Sequence, residues 1–168
     1  MAAEVLYSPL VERDIDELAI ALHSEAVYRY IGGMPSRAEF ELWLHRSLAG
    51  PPTEATGERW INVTVRLAET KEVIGRLEAN IHNQIAEVAF LYNPKLWGLG
   101  HASQGLKWLH GQLGQYKEVH SLWATTHPEN QRSASLLLRH GYLPAPTQDL
   151  PVLYSYERGD HVFTRGVA

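Results

Sequence analysis

There is no cysteine among the 168 residues. That absence excludes a disulfide framework, a thiolate metal site and a cysteine nucleophile together, so any covalent intermediate must sit on oxygen or nitrogen. No apolar run reaches membrane-spanning length, and no basic start leads into an apolar middle. A membrane partner is therefore not expected, and the cytoplasm is the expected compartment. Positive charge is scarce: 15 Lys and Arg against 19 Asp and Glu leave a net charge of -4. This balance disfavours sequence-independent binding to nucleic acid and mildly steers cations such as amines towards the protein. His82, His101, His120 and His127 invite attention as bases or ligands, but no H-E-x-x-H or comparable spacing occurs and no metal is expected.

What is present has ordinary globular proportions, 45% apolar and 20% charged, and the length suits a single domain spanning 1–168. A short VLY strand precedes a helix between Glu12 and His23, on which Ile15, Leu18, Ala19 and Leu22 recur at helical spacing. Ser36 and Glu39 form an S-x-x-E capping box before a helix with Phe40, Trp43, Leu44 and Leu48 on one face, stopped at Gly50-Pro51. PPTEATG reads as a loop. Strict alternation then gives three strands in an antiparallel meander: Trp60 to Leu67, Val73 to His82, and, after an Asn83-Gln84 turn, Ile85 to Tyr92.

LWGLGHASQG follows, with a helix expected from about Ala102 to Gln115. Two glycines one residue apart, then small residues and a helix start, suit an anion that touches bare main chain, because a helix's first amides have no partners of their own. A Walker loop is excluded by the lack of G-K-[ST], and a dinucleotide fingerprint fits poorly after an antiparallel meander. A pyrophosphate across the amides of Gly98 to Ala102 fits better, each charge-assisted bond contributing about 1.5 to 3 kcal/mol. Beyond it VHSLWATT is a strand, NQRSASLLLRHG a helix, and two Tyr-rich or Val-rich runs flank an ERGD turn as a closing hairpin. The class is α+β with a mostly antiparallel sheet.

YNPKLWGLGHASQGL resembles the coenzyme A pyrophosphate loop of the GNAT superfamily of N-acyltransferases, in the branch that includes ribosomal-protein N-terminal acetyltransferases. HPENQRSASLLLRHGY is similar to that family's second signature, with Asn130, Ser133, Gly141 and Tyr142 at the matching positions. The resemblance implies a GNAT-like fold, a central mostly antiparallel mixed sheet splayed at the cofactor site with helices on both faces. It implies transfer of an acetyl group from acetyl-CoA to a primary amine, in a monomer or homodimer. By position, Phe90, Leu91 and Tyr92 would pair with the pantetheine arm, and Trp97, Gly98, Leu99, Gly100, His101, Ala102, Ser103 and Asn130 would hold the rest of the cofactor. The general family pattern has Arg or Gln where Trp97 stands and often a basic residue at Leu99, so this cradle relies on main-chain amides. Lys95, Lys107, Arg132 and Arg139 are the nearest cations in sequence.

An amide near Leu91 is the expected oxyanion donor. Many relatives carry a thiolate-protonating tyrosine at the position of Leu137; Ser133 takes its place as candidate acid, and it also stands third after an expected cap at Asn130. Glu87, which interrupts an apolar strand, is the candidate base, directly or through water. The acceptor pocket implied by the family lies between the first helices and the later strands, with Tyr28, Tyr30 and Trp43 as possible walls. Two alternatives remain: a non-catalytic coenzyme A-binding regulatory domain, and a serine hydrolase built on Ser103, Asp149 and His161, with His101 spoiling its nucleophile elbow.

Overall fold

The computed structural model describes residues 3–52 and 57–168, so most of the expected PPTEATG loop lies outside the described residues. In chain order the elements are β1 (Val5–Pro9), α1 (Ile15–Leu22), a single-turn α2 (Glu25–Tyr28), α3 (Arg37–Ala49), β2 (Arg59–Leu67), β3 (Val73–His82) and β4 (Ile85–Tyr92). They continue with α4 (His101–Leu113), β5 (Ser121–Thr126), α5 (Gln131–Arg139), β6 (Leu143–Ala145) and β7 (His161–Gly166). Among the described residues the strands form one sheet in the order β1-β2-β3-β4-β5-β7-β6, antiparallel except where β4 meets β5. This is an α+β fold with a mostly antiparallel mixed sheet.

The alternation in the meander assigns its two faces. Ile61 and Val63 on β2, Leu77 and Ala79 on β3, and Val88 and Phe90 on β4 point one way, into a core closed by Leu106, Leu109 and Leu113 of α4. Those three leucines are fully buried, each contributing about 1.5 to 3 kcal/mol. The opposite face carries a polar row across the same strands: Asn62 beside Glu78 beside Ala89, and Trp60 beside Asn80 beside Glu87. A second core, with Leu18, Leu22, Phe40 and Leu44, packs α1 and α3 over this face against Val73 and Leu91. A buried Asp14 ties α1 to β2, accepting from Thr64 Oγ1 at 2.9 Å and Arg66 at 2.6 Å.

The capping box forms as expected, Ser36 Oγ accepting from the Glu39 amide at 3.1 Å and Glu39 from the Ser36 amide at 3.0 Å. Trp43 does not join the core face; it is 43% exposed, because Phe40 and Leu44 already fill the contact with α1. The closing hairpin also differs from expectation. The strand antiparallel to β7 on its outer side is Leu143–Ala145, and residues 151–156 form no strand. Two of that segment's amides, those of Tyr154 and Ser155, donate to the Glu87 carboxylate instead of to a strand.

Gly105 lies inside α4, where glycine weakens a helix by about 1 kcal/mol against alanine. The reason is close packing: a Cβ there would stand 2.1 Å from the Tyr92 hydroxyl, and one at Gly75 would stand 2.6 Å from the same ring. Tyr92 is thus seated between two glycines on facing elements. Gly105→Ala is expected to lower unfolding free energy by about 1 to 3 kcal/mol despite its helix propensity. Gly111→Ala, where nothing lies within 4 Å, should raise it by up to about 1 kcal/mol; urea denaturation of both variants checks the pair.

Candidate active site

β4 and β5 are paired only from Ile85–Ser121 to Glu87–Trp123. Beyond Glu87 the two strands part, leaving one edge of β4 open from Val88 to Tyr92. The antiparallel register decides which main-chain groups face the gap. Asn93 N–H donates to Ile74 C=O directly opposite, at 2.8 Å, so Leu91 and Ala89 also bond towards β3, while Val88, Phe90 and Tyr92 turn outward. The Tyr92 carbonyl does so, accepting from Trp97 Nε1 at 2.9 Å. The oxyanion donor is expected from an amide near Leu91; the amide of Leu91 itself bonds inside the sheet, and those of its neighbours Phe90 and Tyr92 are directed into the gap.

The open edge leads into the glycine loop. Gly98 and Gly100 have φ of 83° and 87°, the left-handed region in which any side chain is strained, and no atom lies within 4 Å of where either Cβ would stand. Gly100 caps α4, so the amides of His101, Ala102 and Ser103 form its first turn. His101 is 5% exposed, and its Nδ1 is buried with no partner among the described residues; burial lowers its pKa. Leu99 is exposed. Of the four nearby cations, Arg132 reaches the loop, its guanidinium 3.7 Å from the Trp97 ring centroid. Lys95, Lys107 and Arg139 are exposed and make no ion pair among the described residues.

Arg132 sits on the first turn of α5. Asn130 caps that helix, its Oδ1 accepting from the Ser133 amide at 3.3 Å. The Ser133 hydroxyl is half-buried and makes no hydrogen bond among the described residues. Leu137 lies fully buried in the core. Ser103 joins α4 to the end of α5 by a 2.7 Å bond with His140 Nε2. The hydrolase arrangement with His161 is therefore not formed: His161 starts β7, paired with Thr126. Behind this contact Arg165 donates to His140 C=O at 2.8 Å and reaches His110 Nδ1 at 3.3 Å, and His110 Nε2 bonds the Tyr142 hydroxyl at 2.7 Å.

On the other side of β4, the polar row of the meander lines a cleft of about 310 Å³ with Ser47 of α3 and Tyr154. Glu87 lies at its end, 6% exposed. Oε1 accepts from the Ser155 amide at 3.0 Å and from Ser155 Oγ at 2.6 Å; Oε2 accepts from the Tyr154 amide at 2.9 Å and from His82 Nε2 at 2.6 Å. Burial alone would raise this carboxyl's pKa. The bonds from the Ser155 side chain, the two amides and His82 outweigh it and hold the pKa below the ordinary value. Asn83 Nδ2 occupies His82 Nδ1 at 3.2 Å, and the His82 ring stacks on Tyr154 at 4.1 Å.

The expected walls are elsewhere. Tyr28 is buried in the second core, Tyr30 stacks on His127 at 5.4 Å, and Trp43 points outward. Trp60 and Tyr154 flank the cleft instead. Trp60 was open to detection, since it shares the alternation of Asn62; nothing in the sequence brings Tyr154 there.

The sheet splays where its parallel strand pair parts, and a glycine loop lies at the mouth of the splay. The family model of the acetyltransferase (GNAT) domain matches residues 4–143, and the chain belongs to that family. No curated protein matches it. Among solved structures, an acetyltransferase from Agrobacterium tumefaciens is 19% identical with a TM-score of 0.75, over 98% of this chain and 92% of that one. An acetyltransferase that modifies the N-terminal serine of ribosomal protein L7/L12, from Salmonella typhimurium, is 15% identical with a TM-score of 0.76, over 96% and 94%. An aminoglycoside acetyltransferase in complex with coenzyme A is 17% identical with a TM-score of 0.74, over 97% and 95%. At these identities the likeness is one of fold.

The His110 network carries a pH dependence. Burial, then Arg165 and His140, lower its pKa from about 6.5 to about 4. Between those values the unfolded chain binds a proton that the folded chain refuses, so stability is full above about 6.5 and falls as pH drops towards 4. His140 and His101 are lowered in the same direction. Urea midpoints should decrease steadily from pH 7 to 4.5, and the His110 imidazole resonances should stay in the neutral form until pH approaches 4.

Proposed function

We propose that this chain transfers an acetyl group from acetyl-CoA to a primary amine by direct attack, with donor and acceptor bound together. The observation that carries the reading is the open edge of β4, from Val88 to Tyr92, running between the polar cleft and the Gly98–Ala102 amides. An extended pantetheine arm would pair with the outward groups of Phe90 and Tyr92 as an added strand does, with Leu91 holding the edge in the sheet. The diphosphate would meet the amides of Gly98, Leu99, Gly100, His101 and Ala102 with Ser103 beside them, and Arg132, held on Trp97, supplies charge that the loop lacks. The donors present suit a diphosphate.

Acetyl-CoA supplies an activated acyl carbon and a thiolate leaving group. The chain supplies alignment, which contributes up to about 7 to 11 kcal/mol, and an outward amide of β4 that the arm leaves unpaired to stabilise charge on the carbonyl oxygen. As the carbon–nitrogen bond forms, the carbon–sulfur bond breaks. The amine loses one proton to water and the sulfur takes one up, from Ser133 in this reading, which regains a proton from water, with Asn130 fixing the turn that carries it. Neutralising an α-amine at pH 7 costs about 1.4 kcal/mol, against about 4.6 for a lysine side chain, so an acceptor of lower pKa needs little help. Glu87 enters as a positioning residue rather than the expected base: its roughly four acceptor sites are all filled, and it fixes Tyr154, Ser155 and His82 at the cleft.

The test combines calorimetry with release of free thiol from acetyl-CoA across a panel of peptides, amino-acid derivatives and small amines. Gly98→Ala with Gly100→Ala should weaken coenzyme A binding by about tenfold or more, because left-handed alanine costs about 1 to 2 kcal/mol per residue. Ser133→Ala should lower kcat by about tenfold with coenzyme A affinity within about twofold. Binding without thiol release with any acceptor would favour the regulatory alternative, and unchanged affinity in the glycine variant would remove the cradle.

A further inference from the structure

The contact between Ser103 and His140 is used by none of the steps above. Ser103 stands third in α4, just after the glycine loop, and helical side chains lean towards their own N-terminus. Its hydroxyl therefore lies beside the amides of the first turn. His140 follows the last residue of α5, and its Nε2 meets Ser103 Oγ at 2.7 Å. One hydroxyl thus joins the loop to a titratable ring on a different helix.

The surroundings of that ring are cationic. Lys107 of α4, Arg139 of α5 and Arg165 of β7 all act on it. The His110 ring centroid is 6.1 Å away, and His110 bonds the Tyr142 hydroxyl. α4, α5 and β7 contain no aspartate or glutamate, and no carboxylate pairs with His140 among the described residues. Burial, then Arg139, Arg165 and Lys107, lower its pKa from the ordinary 6.5. The ring is therefore mostly neutral at about pH 7 until an anion arrives.

A diphosphate at the loop reverses this field. Negative charge near Ser103 favours the imidazolium, and protonation also settles the direction of the hydrogen bond. A neutral ring either donates or accepts at Nε2. Where it accepts, Ser103 spends its only proton on the ring and turns lone pairs towards the loop. The imidazolium only donates, which frees the serine proton for a phosphate oxygen. Charge and bond direction act the same way.

Resting on the reading of the glycine loop as a coenzyme A diphosphate cradle, we infer that His140 is a positioning residue for the cofactor, orienting the Ser103 hydroxyl and taking up a solvent proton when the cofactor binds. No bond of the acetyl transfer is altered by it. Because the anion raises the affinity of the ring for its proton, cofactor affinity is greatest at low pH and declines as pH rises through the titration of the bound form.

The probe is dephospho-coenzyme A, which keeps the diphosphate and lacks the phosphomonoester that itself titrates at about pH 6. Calorimetry in buffers of different ionisation enthalpy reads proton uptake. Imidazole resonances of the intact protein, followed with this ligand and with coenzyme A, show which ring takes the proton. On saturation the His140 ring should titrate at higher pH than in the free protein. Affinity should fall about tenfold from about pH 5.5 to about pH 8, the scale of one opposite charge at close range. His140→Gln keeps a donor for Ser103 but cannot titrate, so it should abolish the uptake and flatten that profile. Ser103→Ala should weaken binding about tenfold at about pH 5.5, the scale of a charge-assisted hydrogen bond. A His140 titration unmoved by either ligand, uptake at His101 or His110 instead, a pH profile unaltered in His140→Gln, or unchanged affinity in Ser103→Ala overturns the inference and leaves the cradle standing. Binding of neither ligand overturns both.

Discussion

The parting of β4 from β5 is the constraint on which the site depends, and Glu87 stands at the last paired residue before it. Two strands that begin a parallel ladder gain a hydrogen bond for each residue they continue, so separating them exposes main-chain groups that need another partner. A carboxylate at this point counters that tendency. By drawing the amides of Tyr154 and Ser155 onto itself, it brings a segment without regular structure against the sheet where β4 and β5 begin to diverge. The anion is stabilised by four short bonds, and those bonds fix the segment. The splay begins where this buried charge holds the irregular segment.

The same logic explains why a protein of this size keeps a polar row across the middle of its central sheet. On the α4 face the strands follow the ordinary rule, apolar residues packed against leucines. On the other face α1 and α3 cover the end that carries Thr64, Arg66 and Leu91, where Asp14 satisfies the arginine. They stop short of the end that carries Trp60, Asn80 and Glu87. Arg76 marks the boundary: 9% exposed, it gives Nη2 to Asn62, Ser47 and Glu78, while its Nε is buried without a partner among the described residues.

Much of this was legible in the sequence because it is periodic or local. The meander, both faces of β2 to β4, the capping box at Ser36 and the glycine loop ahead of α4 follow from spacing of two, spacing of about 3.6, or a turn residue in place. The Ser103–His140 contact, the seat of Tyr92 between Gly75 and Gly105, and the Tyr154–His82 stack join residues 37, 13 and 72 positions apart or on different elements, and no local pattern announces them. Residues 151–156 show where pattern misleads. Tyrosine and valine favour strands, but here two of the segment's amides are drawn to a distant carboxylate. Leu91 shows a finer limit, since alternation gives the side chain's face and only the register gives the direction of its amide.

Trp97 stands where the resemblance would place Arg or Gln, and its surroundings give that difference a physical meaning. A cation at this position would sit on the loop itself. The indole instead donates to the Tyr92 carbonyl, closing the last outward acceptor of β4 and fixing where the open edge ends. Its face then holds the Arg132 guanidinium at 3.7 Å, so the positive charge comes from α5 and its position depends on the ring. The loop, the end of β4 and the first turn of α5 are thereby linked through one side chain. Ser133 is one residue beyond Arg132, on the turn that Asn130 caps. Any anion that draws Arg132 towards the glycine amides also pulls on that turn, which ties cradle and proposed proton donor into one mechanical unit rather than two sites that happen to be near each other.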